Sequence, residues 1–350
     1  MRKAWTWILM LATVLASPCL AQDPSPTSQP NTPPASYEEL HRLTVTAFQQ
    51  EKYAEGVRLL LEAKARFPEK LMAVSYNLAL MYGGLGEYEQ GVQALREALE
   101  KGLWFSFWAF DSEHWKAYKE LESFQKAVAE SERRRLEAQQ KAVMKLEVVT
   151  PEGYDPGKTY PLFIALHGGG ETLAVFKPHW SSARLGKEFL VAFVQSTQVA
   201  SMEGFHWQDM AMSEKDLREA YRQVSQQYRV DPAKVLIGGF SSGGYASLVV
   251  ALKNLLPVAG FVALCPPYPE QVTPEDITQS KSRGLRGTLL STERDHRLPK
   301  HRELAAALTA AGMDFQFVLF PNVGHWYPDD FSQRLDEAIG RILAPPPPGV

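Results

Sequence analysis

The sequence predicts two unlike domains, an all-α region of residues 37–142 followed by an α/β region of residues 143–343. In the second region, short apolar runs alternate with helical patterns, which is typical of a mostly parallel sheet with helices on both faces. In the first region a helical pattern recurs. A proline-rich stretch at 22–36 precedes the two regions, and another at 344–350 follows them. We therefore expect a small helical domain ahead of a larger α/β domain.

Short apolar runs predict the strands of the sheet. Each is bounded by glycine, proline or polar residues and is too short for a helix. The runs are 161–166, 189–195, 234–238, 258–265, 287–292 and 315–320.

Helices are predicted between these strands. In the first of them, one apolar face has the spacing i, i+3, i+4, i+7 and consists of Leu217, Ala220, Tyr221, Val224 and Tyr228. Two more helices are expected, from residue 243 to about 254 and from Pro328 to about residue 343, the second with proline at its start.

The pattern G-x-S-x-G lies between the strand predicted at 234–238 and the helix predicted from residue 243. Gly239 and Gly243 flank Ser241 at the two positions where a sharp strand-to-helix turn leaves no room for side chains. Ser242 is the competing hydroxyl, but centring the turn there would put Phe240 where clearance is needed. Ser241 is therefore the predicted nucleophile, and an inert serine in a glycine-rich turn is the alternative.

A nucleophilic serine needs a base and a group that orients the base. The loop after residues 287–292 contains Asp295, the predicted acid, and Glu293, the alternative acid. His325, on the loop after the last strand, is the predicted base. His296 and His301 are rivals, but they lie in the loop and helix that should present the acid.

An oxyanion requires N–H donors, and the sequence offers two sources. Ser242, directly after the nucleophile, supplies one backbone N–H. His167 opens a glycine-rich loop after residues 161–166, and Gly168 and Gly169 are the predicted donors there. We expect His167 to be a structural hydrogen-bonding group rather than a base.

These motifs give residues 143–343 a family resemblance. The resemblance is to the α/β-hydrolases, in particular the secreted predicted esterases that include polyhydroxybutyrate-depolymerase-like and feruloyl-esterase-like families. It rests on LHGGG at 166–170, the helix and strand at 216–244 that end in the serine turn, the acid loop at Asp295 and GHWYP at 324–328. The resemblance implies hydrolysis of a small-molecule or polymer carboxylic ester through an acyl-enzyme on Ser241, Asp295 and His325, without a cofactor.

Two other functions stay open. GFSSGGY at 239–245 also resembles the turn of prolyl-oligopeptidase-type serine peptidases, although no β-rich domain precedes it here. The α/β region could instead be a non-catalytic scaffold beside a binding domain. Aromatic residues that could line a substrate pocket, or equally fill the core, are Trp180, Trp207, Trp326 and Tyr327.

The N-terminal residues predict export. Residues 1–21 have a basic start, a short apolar stretch and a small-residue end, as in a cleaved secretory signal peptide. We expect periplasmic or extracellular residence with no stable membrane insertion after cleavage. Cleavage would leave Cys265 as the single cysteine, which we interpret as a buried apolar residue.

Within 37–142 the repeat has a spacing near that of tetratricopeptide units, and the region resembles two such helix pairs. Its ligand would be a protein or peptide. Aromatic residues between 104 and 115 are expected to cap the stack, and a charged helix at 120–145, with Arg133 to Arg135 in solvent, to connect the domains. The recurring residues are Tyr53, Gly56 and Ala63, then Tyr88, Gly91 and Ala98.

Composition excludes several functional classes. The net charge of −3 gives no indication of nucleic-acid binding. Motifs for zinc binding or for nucleotide phosphates are absent from the sequence, so no metal or nucleotide is expected.

Overall fold

The computed structural model describes residues 36–345. The predicted signal peptide lies outside these residues, as do the predicted linker up to residue 35 and the predicted tail from 346. Among the described residues no helix is both long and apolar enough to span a membrane. The chain divides between Glu137 and Ala138 into two compact units.

The first unit is entirely helical. Ser36 caps its first helix, because its side chain accepts the N–H of Glu39. The first four helices pack consecutively against one another, and short 3₁₀ turns lie at 68–70, 113–115 and 118–120. The helices are α1 Tyr37–Gln49, α2 Tyr53–Arg66, α3 Leu71–Leu85, α4 Tyr88–Glu100 and α5 Glu122–Lys141.

The repeated glycines of this unit stand where helices approach closely. A Cβ atom on Gly56 of α2 would lie 2.4 Å from the sulfur of Met81 on α3. A Cβ on Gly91 of α4 would lie 1.8 Å from the Tyr118 hydroxyl, which donates to the carbonyl of Ala79. Each of the two glycines therefore allows a neighbouring side chain to pack closely against its helix. Assignment of the region to the tetratricopeptide class stays a prediction.

Aromatic residues after α4 form a compact cluster against the helices. Trp115 is fully buried, and its ring lies 5.2 Å from Tyr76 and 4.9 Å from Phe110 between ring centroids. The expectation that Arg133 to Arg135 form a solvated face is wrong for two of them. Arg134 donates to carbonyl oxygens at and beyond the end of α4, and Arg135 lies over the ring of Phe107, so only Arg133 extends into solvent.

The two glycine contacts predict unequal costs of substitution. We expect Gly91→Ala to destabilise α4 by about 1–3 kcal/mol, since the enclosed Tyr118 ring cannot yield. Gly56→Ala should stay within about 1 kcal/mol of wild type, because the flexible Met81 side chain can move and alanine favours the helix. Amide hydrogen exchange of α2 in Gly56→Ala and of α4 in Gly91→Ala, each in the full chain, measures this difference. Equal protection in both variants would contradict it.

The second unit contains a seven-stranded sheet in the order β1-β3-β2-β6-β7-β8-β9. All neighbouring strands are parallel except β1, which runs antiparallel to β3 at one edge. β4 and β5 form a separate hairpin. The strands are β1 Lys145–Val149, β2 Tyr160–Leu166, β3 Leu190–Gln195, β4 Val199–Ser201, β5 Gly204–Phe205, β6 Val230–Phe240, β7 Gly260–Leu264, β8 Arg286–Thr292 and β9 Asp314–Phe320.

Helices cover both faces of this sheet. Successive strand residues point to opposite faces, so Ile164 of β2 enters one apolar core and Phe163 enters the other. The predicted fold class is thereby confirmed. The helices are α6 Leu173–Phe176, α7 Ala183–Glu188, α8 Met210–Gln227, α9 Ser242–Leu252, α10 Pro274–Ser282, α11 Leu298–Ala310 and α12 Phe331–Leu343.

The structure differs from the sequence prediction at element ends and in weak strands, and the helices α6, α7 and α10 were not individually predicted. The helix predicted at 120–145 ends at Lys141, and Lys145 already begins β1, whose half-exposed edge position gives no continuous apolar run. The last helix begins at Phe331 rather than Pro328. The β4–β5 hairpin was not predicted at all, since its strands have only three and two residues.

Candidate active site

The predicted site residues converge at the carboxyl ends of parallel strands, where open α/β sheets bind their ligands. Leu166 at the end of β2 pairs with Gly239 near the end of β6. The glycine-rich loop therefore starts beside the serine turn. β8 and β9 end at the same edge and are followed by the loops of Asp295 and His325.

Ser241 has a strained backbone at the junction of β6 and α9. Its φ of 50° and ψ of −113° lie in a region that residues with a side chain rarely occupy. Its N–H donates to the carbonyl of Leu264, 2.8 Å away. A Cβ on Gly239 would lie 2.3 Å from the carbonyl carbon of Gly243, and one on Gly243 would lie 2.4 Å from the oxygen of His167. Only glycine fits at either position.

The structure brings Ser241, His325 and Asp295 into one hydrogen-bonded series. Nε2 of His325 lies 2.9 Å from the Ser241 hydroxyl, and Nδ1 lies 2.7 Å from Oδ2 of Asp295. The other carboxylate oxygen of Asp295 accepts the backbone N–H of Arg297 at 2.9 Å. When Nδ1 carries the proton, Nε2 is left as the acceptor that a serine hydroxyl requires.

Electrostatics keep Asp295 ionised and His325 neutral. Burial by itself raises the pKa of Asp295, but hydrogen bonds and charge from His325 and the Arg297 N–H outweigh it and hold the pKa far below its ordinary value. Burial lowers the pKa of His325, and the Arg297 cation lowers it further, against the opposing effect of Asp295. The base is thus unprotonated at neutral pH.

The alternative acid and the rival histidines lie elsewhere. Glu293 is exposed, and its carboxylate accepts the backbone N–H of Asn322 at 2.8 Å. His296 is half-exposed; its Nδ1 lies 3.0 Å from Oδ1 of Asp295, and its ring centroid lies 6.5 Å from that of His325. His301 is buried and contacts the Ser291 hydroxyl and the carbonyl of Pro266.

Arg297 is a site residue that the sequence analysis missed. Its Nη1 lies 3.0 Å from Nε2 and 3.4 Å from Nδ1 of His325. A cation so close disfavours a second positive charge on the imidazole. Its position two residues after Asp295 was the only available signal, because nothing in the pattern shows that the loop turns back towards His325.

The glycine-rich loop differs from the prediction at one donor. The N–H of Gly168 donates to Oε2 of Glu171 at 2.6 Å, so Gly168 is not available to an oxyanion. Gly169 lies against Ser242, with 3.6 Å between a Cβ position on Gly169 and the Ser242 hydroxyl oxygen. Among the described residues, neither the Gly169 nor the Ser242 backbone N–H donates to a protein acceptor. Of the three predicted donors, Gly169 and Ser242 therefore keep a backbone N–H that no described protein group accepts.

Of the four aromatic candidates for a substrate wall, three are core residues. Trp180 and Trp207 are fully buried, and Tyr327 is buried with its hydroxyl accepting the indole N–H of Trp180 at 3.2 Å. Trp326 is 44% exposed and packs beside the rings of Phe240 and His179. Trp326 alone of the four is available to a substrate.

Among the described residues, the one group with three close potential metal ligands is Cys265, Asp295 and His325. The Asp295 and His325 ligand atoms are already hydrogen-bonded to each other. Burial raises the pKa of the Cys265 thiol to about 12, and the thiol lies 3.3 Å from the Thr292 hydroxyl. A protonated thiol is a poor metal ligand, so this chemistry favours acid–base work.

The parallel sheet order, the antiparallel edge strand and the serine turn after β6 identify the fold. The second unit has an α/β-hydrolase fold. Residues 194–338 match the dienelactone hydrolase family. The match spans the serine turn, Asp295 and His325, and it supports a hydrolase. No curated protein matches the chain.

Solved structures are also similar to this chain. An uncharacterized protein from Bacillus cereus is 24% identical, with 88% of this chain and 99% of that one covered and a TM-score of 0.49. A ferulic acid esterase is 18% identical, with 57% and 91% covered and a TM-score of 0.49. A thermophilic esterase from Thermogutta terrifontis is 17% identical, with 55% and 87% covered and a TM-score of 0.44.

The contact between Arg297 and His325 predicts a shift in pH dependence. Removing the cation in Arg297→Met should raise the pKa of His325, so that the base is protonated at higher pH. The acidic limb of kcat/KM for ester hydrolysis should then move to higher pH. Arg294→Met removes an exposed arginine of the same loop that donates to the Asn322 side chain, and should leave the limb in place. An unmoved limb in Arg297→Met would refute this electrostatic role.

Proposed function

We propose that the protein is a serine esterase that hydrolyses carboxylic esters through an acyl-enzyme. One observation carries the proposal: the hydroxyl of Ser241, on a strained turn, lies 2.9 Å from a neutral, Asp295-bound imidazole. Strain of this kind persists only where the surrounding structure enforces it, and it is concentrated at functional sites. An inert serine would need neither the strain nor the base.

In acylation, Nε2 of His325 takes the proton of Ser241 as its oxygen attacks the ester carbonyl carbon. The imidazolium that forms is stabilised by the Asp295 carboxylate at 2.7 Å. The backbone N–H groups of Gly169 and Ser242 bind the oxyanion, and the positive end of α9, which begins at Ser242, adds to their effect. His325 then returns the proton to the leaving alcohol.

Deacylation repeats these steps with water as the nucleophile. His325 takes a proton from water, the hydroxide oxygen attacks the acyl carbon, and the proton passes to Ser241 as the carboxylic acid leaves. Each step uses groups already at hydrogen-bond distance. The reaction therefore proceeds on the residues named, for an ester of a small molecule or a polymer.

The match to the dienelactone hydrolase family supports the reaction class, and it covers the nucleophile, acid and base together. The position of Trp326 supports an apolar or aromatic group on the substrate, since this half-exposed indole stands directly after His325. A wall of this kind selects by shape and apolar area rather than by charge.

Labelling by a fluorophosphonate probe tests the nucleophile. We expect the wild-type protein to be labelled and to hydrolyse p-nitrophenyl acetate, and Ser241→Ala to lose both, with at least about 10³-fold less turnover. Ser242→Ala is the matched control and should still be labelled, because only its backbone N–H is used. Labelling that persists in Ser241→Ala would reject the assignment, and hydrolysis of amides but not esters would favour the peptidase alternative.

The two acids of the β8 loop can be distinguished by a matched pair of amides. Asp295→Asn should lower kcat about 10⁴-fold, because an amide no longer holds the imidazole in the required tautomer. Glu293→Gln changes an exposed group bound to Asn322, and its kcat should equal that of wild type. Steady-state kinetics with p-nitrophenyl acetate measures both. A larger loss in Glu293→Gln would reverse the assignment.

A further inference from the structure

Glu171 is a buried carboxyl group that the proposed reaction does not use. Its side chain is 8% exposed, and among the described residues only Oε2 has a partner, the N–H of Gly168. Burial raises the pKa of Glu171 to about 7. Burying a carboxyl group with one oxygen unsatisfied lowers stability. A retained group of this kind needs another reason to be there.

The carbonyl of Gly168 is held as firmly as its N–H. Nδ1 of His167 lies 2.7 Å from that oxygen, and Nε2 of the same ring accepts the N–H of Ser196 at 3.2 Å. These partners fix a neutral ring with the proton on Nδ1, and burial lowers the pKa of His167 to about 4. His167 therefore donates permanently to the Gly168 carbonyl.

Fixing that carbonyl also fixes the next N–H. The carbonyl of Gly168 and the N–H of Gly169 belong to one planar trans peptide, so they point in opposite directions. With the carbonyl directed at His167, the Gly169 N–H must point away from it. Gly169 lies beside Ser242, whose backbone N–H is the other proposed oxyanion donor.

The β4–β5 hairpin holds the end of the loop. The N–H of Gly170 donates to the carbonyl of Phe205 at 2.8 Å, and the N–H of Phe205 donates to the carbonyl of Glu171 at 3.1 Å. Gly204 packs so closely that a Cβ there would lie 2.4 Å from the Gly170 oxygen. With both ends anchored, the side chain of Glu171 determines the orientation of the peptide between His167 and Gly168.

We propose that Glu171 is a positioning residue for the oxyanion hole: its carboxyl group binds the Gly168 N–H outside the site and thereby leaves Gly169 as the loop donor. The inference rests on the proposed function. A Cβ on Gly168 would lie 2.8 Å from the Phe240 ring and 2.9 Å from Oε2 of Glu171, so Gly168 packs closely against both side chains. Removing the carboxyl group frees the peptide to rotate.

Kinetics of three variants test this role. In Glu171→Leu the peptide before Gly168 loses its anchor, and His167 alone then holds the peptide that carries the Gly169 donor, so kcat for p-nitrophenyl acetate should fall about 100-fold while KM changes less than about twofold. Glu171→Gln keeps an acceptor oxygen and should restore kcat to within about threefold of wild type. Glu203→Gln, an exposed change in the adjoining hairpin, should behave as wild type. A purely structural group would instead lower the thermal stability of Glu171→Leu and leave kcat per folded molecule unchanged.

A measurement on the wild-type protein does not depend on whether a variant folds. In NMR spectra the amide proton of Gly168 should resonate far downfield, because it forms a short hydrogen bond to a carboxyl group. Its chemical shift should not change when a fluorophosphonate reacts with Ser241. The amides of Gly169 and Ser242 should move, because they bind the phosphonyl oxygen. Movement of Gly168 in place of Gly169 would overturn the inference alone. Failure to form any adduct would overturn the proposed function, and the inference with it.

Discussion

The close approach of backbone segments around Ser241 is the constraint on which the rest of the active site depends. β6 turns into α9 with no space for side chains at Gly239 or Gly243, and α9 then begins against the carbonyl of His167 at the end of β2. This packing forces Ser241 into its positive φ and directs its hydroxyl to the open edge of the sheet. It also sets the Ser242 N–H beside the loop that supplies the second donor.

Two opposite charges define the state of the base. Asp295 holds the imidazole from the Nδ1 side and favours its protonation, whereas burial and Arg297 oppose it. The balance leaves His325 neutral. In the proposed reaction, Asp295 stabilises the imidazolium that forms when His325 accepts the serine proton. Both charged residues come from one loop after β8, so a single loop conformation sets the orientation and the basicity of His325.

Buried polar groups hold the glycine-rich loop in a similar way at the proposed oxyanion hole. His167 and Glu171 bind the carbonyl and N–H of the same glycine, and the β4–β5 hairpin binds the residues that follow. A flexible glycine loop would otherwise lose conformational entropy each time it formed the hole. Holding the peptide in advance moves that cost from catalysis to folding, which is consistent with preorganised transition-state stabilisation.

The sequence by itself determined what depends on local pattern: the alternation of strands and helices, the all-α region before it, and Ser241, which its flanking glycines identify. It also indicated Asp295 and His325 through their order after successive strands, because parallel strands bring those loops to one edge. Only the tertiary structure decided how the loops fold back. Several features depend on contacts between residues distant in sequence or on the exact turn of a loop. They are the pairing of His325 with Asp295 rather than Glu293, the approach of Arg297 to His325, the burial of Trp180 and Trp207, and the loss of Gly168 as a donor. Periodicity cannot encode these contacts, since it reports which face of an element is apolar and not which atoms meet across a loop.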